Sequence, residues 1–514
     1  MVRALAAPGV DAYRGALPSP ISVEIQSFRT AYREGFDVET RGPSHDRARS
    51  SATGDLLTPP SGRGTAPPAP PSGADGEQGE GLIRAIGPAA LSLAIVNTVV
   101  GGGIFVLPGL VAVELGSAAI LAYVICAVVV ALVFLCFAEI GSRVRRSGGP
   151  YAYIEEAFGP FAGFIAAMLF WFGWCALSDA AIAVAMVETI TIAVPSLAAP
   201  AARAAFIVVA LAVLAVVNIM GVRSGVRLVI FNTVAKLAPL LLLLVAGLFV
   251  VSVDNLAITA WPALDNVGAA AIILFFAFAG AETPLAVGGE IKNPSRSVPL
   301  GLLAGLAGIL ALYVGLQTVA QGVLGAELAR NTEAPLAAAA TQVFGPWGTT
   351  MLLVGGVISI WGTLSGDMLS VPRVIFASAQ DGNLPGVLAR VHPRYRTPWT
   401  AVIFYAVVVS AFSLSGTFKP LAVVASGSVL VLYAGVSLAV VRLRRRDGEP
   451  AAGELKLPFG PAIPMASFVV VGWLLWQMTG AEMAGLAGLI AAAVLLYGLR
   501  RAVVGSGASR RPDP

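Results

Sequence analysis

Twelve hydrophobic runs, each of roughly the 20 residues needed to cross a bilayer or more, follow a polar N-terminal segment. Their limits lie near 88–113, 118–141, 161–193, 204–221, 228–251, 267–288, 300–324, 347–377, 399–416, 420–441, 462–479 and 482–499. The pattern predicts an all-α integral membrane protein with twelve transmembrane helices, the third and eighth long enough to tilt. Two of the runs are interrupted. Gly101-Gly102-Gly103 sits inside AALSLAIVNTVVGGGIFVLPGLVAV of span 1, and Gly280 sits inside AAIILFFAFAGAETPLAV of span 6. A helix in lipid must satisfy its own backbone hydrogen bonds, so a break at this depth persists where something uses the freed groups. Spans 1 and 6 are five apart. Spans 1–5 and 6–10 therefore read as an inverted repeat whose broken helices face each other at mid-membrane.

The chemistry of such breaks follows from helix ends. The half-helix starting near Gly103-Ile104-Phe105 offers unpaired N–H groups and the positive end of its dipole, which suit a carboxylate. The preceding ends, near Val99-Val100 and Ala277-Phe278-Ala279, offer carbonyls that suit an ammonium group. Together they fit the zwitterion of an α-amino acid, and glycine lets the ligand approach the backbone. Single glycines in membrane helices usually serve close packing. Three in a row before IFVLPG, matched by a second break, point to unwinding instead.

Composition agrees with a membrane protein: 57% of the 514 residues are hydrophobic and 12% charged, against about 25% charged in soluble domains. Residues 1–80 differ, with 10 of the 34 prolines and 8 basic against 10 acidic residues. Such a segment cannot bury enough apolar surface to fold alone and reads as a disordered cytoplasmic tail. It lacks the charged-then-apolar order of a signal peptide. The remainder carries 25 basic and 19 acidic residues, and their placement sets orientation. Twenty basic residues, including Arg143, Arg145, Arg146, Arg223, Arg227, Lys292, Arg296 and the Arg442–Arg446 cluster, fall on one set of connections or the C-terminus. Arg203, Arg330 and Lys419 alone fall on the other. Both termini are thus expected in the cytoplasm, with the chain in the plasma (inner) membrane. Cys126, Cys136 and Cys175 lie in apolar runs without metal spacing. His45 and His392 are too few for an imidazole-based centre.

Four motifs carry a resemblance. VGGGIFVLPG in span 1 resembles a GSGIF pattern. AEIGSRVRRSGGPYAYIEEAFGPFAGF resembles a span 2–3 connector, FFAFAGAETPLAVGGEIKNPSRSVPLG a span-6 segment with its following loop, and PRVIFASAQDGNLPGVLARVHPRYRTP the end of a span 8. In this order they resemble the amino acid–polyamine–organocation superfamily of permeases over residues 84–445. The resemblance implies a leucine-transporter-type fold: a ten-helix core of two inverted five-helix repeats over 84–445, two peripheral helices over 446–500 and a C-terminal tail over 501–514. It also implies alternating-access transport of amino acids or related amines. Residue by residue, Gly101, Gly102 and Gly103 match the carboxylate-binding loop, with Val99 and Ile104 beside it. Phe276 matches the aromatic gate of span 6, Ala277, Phe278, Ala279 and Gly280 its unwound segment, and Glu282 an acidic position beyond it. Where the family often has Ser in the middle of the loop, this chain has Gly102, leaving backbone amides to hold the carboxylate.

Charged groups inside spans are candidates for function. Lys236, in VIFNTVAKLAPLLLLL, is the only Lys or Arg clearly within a span. It resembles the span-5 lysine of proton-coupled members, whose ammonium stands in for a sodium ion between spans 1, 5 and 8. It can alternate between a charged state bridging helices and a neutral one letting them part, or it can snorkel to the interface. Glu282 either fixes the unwound segment through backbone N–H groups or takes up a proton. Asp367 and Asp179 are further candidates, Asp367 as a partner of Lys236 or of the ligand's amino group; Glu188 reads as solvated. Glu139 and Glu290, among basic residues, form cytoplasmic ion pairs that either hold an inward gate or merely aid solubility. Trp361 and Phe275 either line the pocket or pack.

The expected function is a secondary amino acid permease with proton symport, not an enzyme. It needs no cofactor beyond a proton gradient, and its partners are the small-molecule substrate and the lipid bilayer, with no nucleic acid. The alternatives are an amino acid/amine exchanger and a non-transporting sensor with the same fold. No nucleotide-binding P-loop or nucleophile–base pair supports ATP-driven transport or catalysis.

Overall fold

The computed structural model describes residues 86–144, 149–220, 225–258, 260–285, 291–380, 382–448 and 455–508, with side chains left out for 225–233 and 502–508. The expected tail over 1–80 lies outside these residues, as do His45, Arg145, Arg146, Arg223, Glu290, Arg510 and Arg511.

Helices occupy all twelve hydrophobic runs. Span 1 is split into α1 (Pro88–Val99) and α2 (Gly103–Leu115). Then come α3 (Ile120–Arg143), α4 (Pro150–Phe158), α5 (Pro160–Ala193), α6 (Pro200–Met220) and α7 (Gly225–Gly247). Span 6 is split into α8 (Leu264–Phe278) and α9 (Glu282–Leu285). The chain continues through α10 (Pro294–Leu324), α11 (Pro335–Phe344), α12 (Pro346–Gln380), α13 (Trp399–Ser415), α14 (Phe418–Asp447), α15 (Ala462–Trp476) and α16 (Gly480–Ala508). Among the described residues, seven helical stretches are long and apolar enough to cross a membrane. The split spans and several others contribute shorter apolar helices. The protein is an all-helical integral membrane protein, and its one isolated bridge among the described residues joins Ile86 to Ile291. Two helices, α4 and α11, fall in what the hydropathy pattern leaves as connections. Both begin at a proline, whose missing N–H and fixed φ suit a first helical position.

Burial ranks the helices. The most apolar window of α14 is 72% buried and that of α16 only 11%, so α14 runs through the core and α16 lies against its rim. α10 packs along both α1 and α3, α2 against α8, and α12 against α5 and α7, so the broken spans are enclosed by neighbours. Exposed Val494, Leu495 and Leu499 on α16 belong to a surface that suits lipid better than water. Within α5, Leu169–Ala176 is π-helical, a local widening that tends to mark functional positions.

Candidate functional site

The first break begins where α1 stops at Val99. Val100 leaves helical geometry (φ −73°, ψ 81°) while its N–H still bonds Val96 O at 3.0 Å. α2 restarts at Gly103; the Phe105 N–H bonds Gly102 O at 3.2 Å, and the N–H groups ahead of it start the helix without an acceptor inside it. The second break follows Phe278: Ala279 is extended (φ −79°, ψ 159°), and Gly280 has φ +122°, which L side chains rarely adopt. A methyl at Gly280 would meet only ordinary contacts at 3.6 Å, so the dihedral and not space demands glycine here.

Two side chains pin these ends. Tyr313 of α10 is fully buried, and its hydroxyl lies 3.1 Å from both Val99 O and Ala277 O, the carbonyl ends of the two broken helices. Its one proton is shared between them, and its ring packs edge-on against Phe278. The sequence reading missed this residue; the signal available was a tyrosine in an apolar span with glutamines four and eight positions on, at Gln317 and Gln321. Glu282 is also buried. Its Oε2 accepts the Gly280 N–H at 3.1 Å and the Tyr433 hydroxyl of α14 at 2.6 Å, so it fastens the unwound segment to α14.

A cavity of about 50 Å³ lies between the breaks and is walled on the far side by α5 and α12. Of the expected contact residues, Val99, Gly101, Gly102, Gly103, Phe276, Ala277, Ala279 and Gly280 line it. Ile104 and Phe278 do not. Ile104 is buried in the core, and Phe278 turns away to meet Tyr123 and Tyr313 edge-on. Phe275 and Trp361 are absent from the wall too: Phe275 packs on Tyr433, and Trp361 is exposed on the bundle surface. Phe276 stands edge-on to Trp174 and Phe418, forming an aromatic side to the cavity. Thr363 and Asp367 of α12 and Ser178 of α5 supply polar groups. A methyl on Gly102 would sit 2.7 Å from Ile360 Cγ1 and 3.3 Å from Ile182 Cγ2. Bulk there strikes packed side chains of α12 and α5, not open volume.

Lys236 does not snorkel. It is 1% exposed, and its Nζ donates to Asn97 O in α1, joining α7 to the first broken helix. The Asp367 carboxyl of α12 lies within its electrostatic reach. Asp179 is buried and accepts the Tyr405 hydroxyl at 2.8 Å. Glu188 pairs with Arg203 at 3.0 Å, both partly exposed, away from the cavity.

At the arginine-rich end of the bundle, Glu139 is fully buried, not a surface group. It accepts Arg143 Nη2 at 2.8 Å, Arg444 Nε at 2.7 Å and Nη2, and the Leu457 N–H at 3.1 Å. Arg444 also donates to Gly460 O, and Ser142 Oγ accepts the Leu455 N–H at 3.0 Å. The ends of α3 and α14 and the segment before α15 are thereby tied into one network. A buried charge in such a network is satisfied only while every partner stays in place.

Comparison with known proteins gives the same account of the chain. Residues 86–497 match the family model described as amino acid permease. The serine/threonine exchanger SteT of Bacillus subtilis is 31% identical over 442 residues, 82% of this chain and 98% of that protein. The methylthioribose transporter of the same organism is 27% identical over 81% of this chain and 93% of its own length. Its branched-chain amino acid permease BcaP is 25% identical over 78% and 92%. With the helix breaks and the matched length taken together, this chain belongs to the amino acid permease family of membrane transporters.

Proposed function

We propose that the protein is a secondary carrier that binds the zwitterion of an α-amino acid between its two broken helices and moves it by alternating access, with proton symport. The observation that carries this reading is the convergence of both breaks on one cavity, with Val99 O and Ala277 O close enough to share one hydroxyl. The start of α2 takes the carboxylate and the two carbonyl ends take the ammonium. A water needs about 10–15 Å³ of such volume, so a cavity of about 50 Å³ holds a few waters but no amino acid with a side chain. Loading therefore requires a half-helix to swing, and the Glu139–Arg444 network and the Lys236–Asn97 contact hold the arginine-rich side shut until it does.

In this reading spans 1–5 and 6–10 form the inverted repeat of the leucine-transporter-type fold over 84–445, α15 and α16 are peripheral, and residues 1–80 are a tail. The arginine-rich end faces the cytoplasm of the plasma membrane with both termini. Lys236 takes the position of a coupling cation, charged when it bridges α7 and α1. Exchange is the second reading, and the name of the serine/threonine exchanger relative favours it. Uptake of labelled L-serine, L-threonine and L-leucine into proteoliposomes separates the two. Symport predicts accumulation driven by an inward proton gradient with empty vesicles; exchange predicts uptake only with amino acid inside. Stimulation by sodium instead of protons removes Lys236 from its role, and absence of any amino acid uptake overturns the carrier assignment.

A further inference from the structure

A second polar cluster lies behind the cavity wall, where α5, α12 and α13 meet. Asp179 Oδ2 accepts the Tyr405 hydroxyl, while its equally buried Oδ1 has no donor among the described residues. Asp367 of α12 lines the cavity opposite Cys175 and Ser178, the α5 residues beside Asp179, and is the carboxyl that acts on it. Contacts at Gly102 show that α5 and α12 pack together beside the unwound segment. A methyl there would touch Ile182, one turn past Asp179 on α5, and Ile360, two turns before Asp367 on α12. Residues at these spacings share a helix face, so the Asp179 and Asp367 faces both press on the unwound segment of span 1. The π-helical stretch Leu169–Ala176 ends three residues before Asp179 and sets its register.

The charges here do not balance with every carboxyl ionised. Lys236 faces Asp367 from α7, Glu282 lies within electrostatic reach from the second break, and Cys175 and Tyr405 are the other titratable groups around the pair. Three carboxylates against one ammonium leave an excess of negative charge, and two of them, Asp179 and Glu282, are buried where it is poorly solvated. Two carboxyls in contact there are stable when one keeps its proton and offers it to the other.

We propose that Asp179 and Asp367 form a carboxylic acid–carboxylate pair that holds one shared proton and is the proton-binding site of the transport cycle. Lys236 serves as its counter-charge. This rests on the proton-coupled reading above. In the step, a proton from water forms an O–H bond on an Asp367 oxygen and is donated toward Asp179. When the cavity opens to the other side, that O–H bond breaks and the proton returns to water.

Infrared difference spectroscopy between acidic and alkaline buffer, on substrate-free protein in lipid, tests the pair directly. The C=O stretch of a protonated carboxyl is expected in the unaltered protein, lost in both Asp179→Asn and Asp367→Asn, and kept in Glu282→Gln. In proteoliposomes, the ratio of acid-driven accumulation to counterflow of labelled L-serine falls by about tenfold or more in Asp179→Asn, within the usual range of coupling effects. Absence of the band, its loss in Glu282→Gln alone, or an unchanged ratio in Asp179→Asn overturns the proposal. Should Asp179→Asn not fold, Tyr405→Phe keeps both carboxyls and removes only a donor; the band must then shift, and an unshifted band counts against the pair. Failure of the carrier reading looks different: the unaltered protein then moves no amino acid while the band and its variants behave as expected.

Discussion

Replacing Tyr313 by Phe removes one hydroxyl and leaves the ring in place against Phe278, at 5.3 Å between centroids. The hydroxyl is the donor for Val99 O and Ala277 O, both helix-end carbonyls in a fully buried setting. One proton serves two acceptors at 3.1 Å, so the loss amounts to about one hydrogen bond's worth of satisfaction, not two. Leaving a buried acceptor without its donor costs about 1–3 kcal/mol. In the carrier reading the same carbonyls meet the ligand's ammonium through their other lone pairs, and their alignment is what the hydroxyl maintains. With about one to two kcal/mol of that falling on the bound state, the variant binds amino acid about 5–30-fold more weakly. The assay is concentration-dependent uptake in proteoliposomes, with thermal unfolding in detergent as the control for global damage. KM rises by that factor while the folded protein persists. A KM within twofold of the parent refutes the claim that Tyr313 aligns the two ends.

Three further outcomes follow from the same geometry. Lys236→Ala removes the bridge to Asn97 O and abolishes gradient-driven accumulation; normal accumulation by this variant contradicts its coupling role. Gly280→Ala forces a residue with a Cβ to φ +122°, a strain of roughly 1–3 kcal/mol, and lowers both thermal stability and uptake; unchanged values show that the segment relaxes freely. Glu139→Ala leaves Arg143 and Arg444 facing an apolar gap, and breaking a buried pair in this way destabilises by about 3–5 kcal/mol, read as a marked drop in unfolding temperature. A drop equivalent to less than about 1 kcal/mol places the network among exposed, weak pairs.

Much of this arrangement was legible from hydropathy and glycine alone. The helix ends at Val99 and Phe278 fall where Gly101–Gly103 and Gly280 interrupt apolar runs; Gly280 holds φ +122°, and at Gly102 a methyl would sit 2.7 Å from Ile360 Cγ1. What stayed hidden depends on contacts between distant parts of the chain. Tyr313 meets a carbonyl 214 residues away, and the local signal, a tyrosine followed by Gln317 and Gln321, does not name that partner. Glu139 reads as a loop-end charge until Leu457 and Arg444, more than 300 residues on, close over it. Facing was unreadable as well. α8 is apolar all round, so periodicity does not tell Phe276, on the cavity, from Phe275 and Phe278, which pack behind it. In the same way Trp361 faces outward while Thr363, two positions on, reaches the cavity.

The most direct test is a structure of the protein in lipid with a transported amino acid bound. The ligand's carboxylate should rest on the backbone N–H groups at Gly102–Ile104, and its ammonium should face Val99 O and Ala277 O, with the half-helices moved apart to admit it. An amino acid bound elsewhere in the bundle, or either broken span closing into continuous helix around an empty centre, contradicts the account.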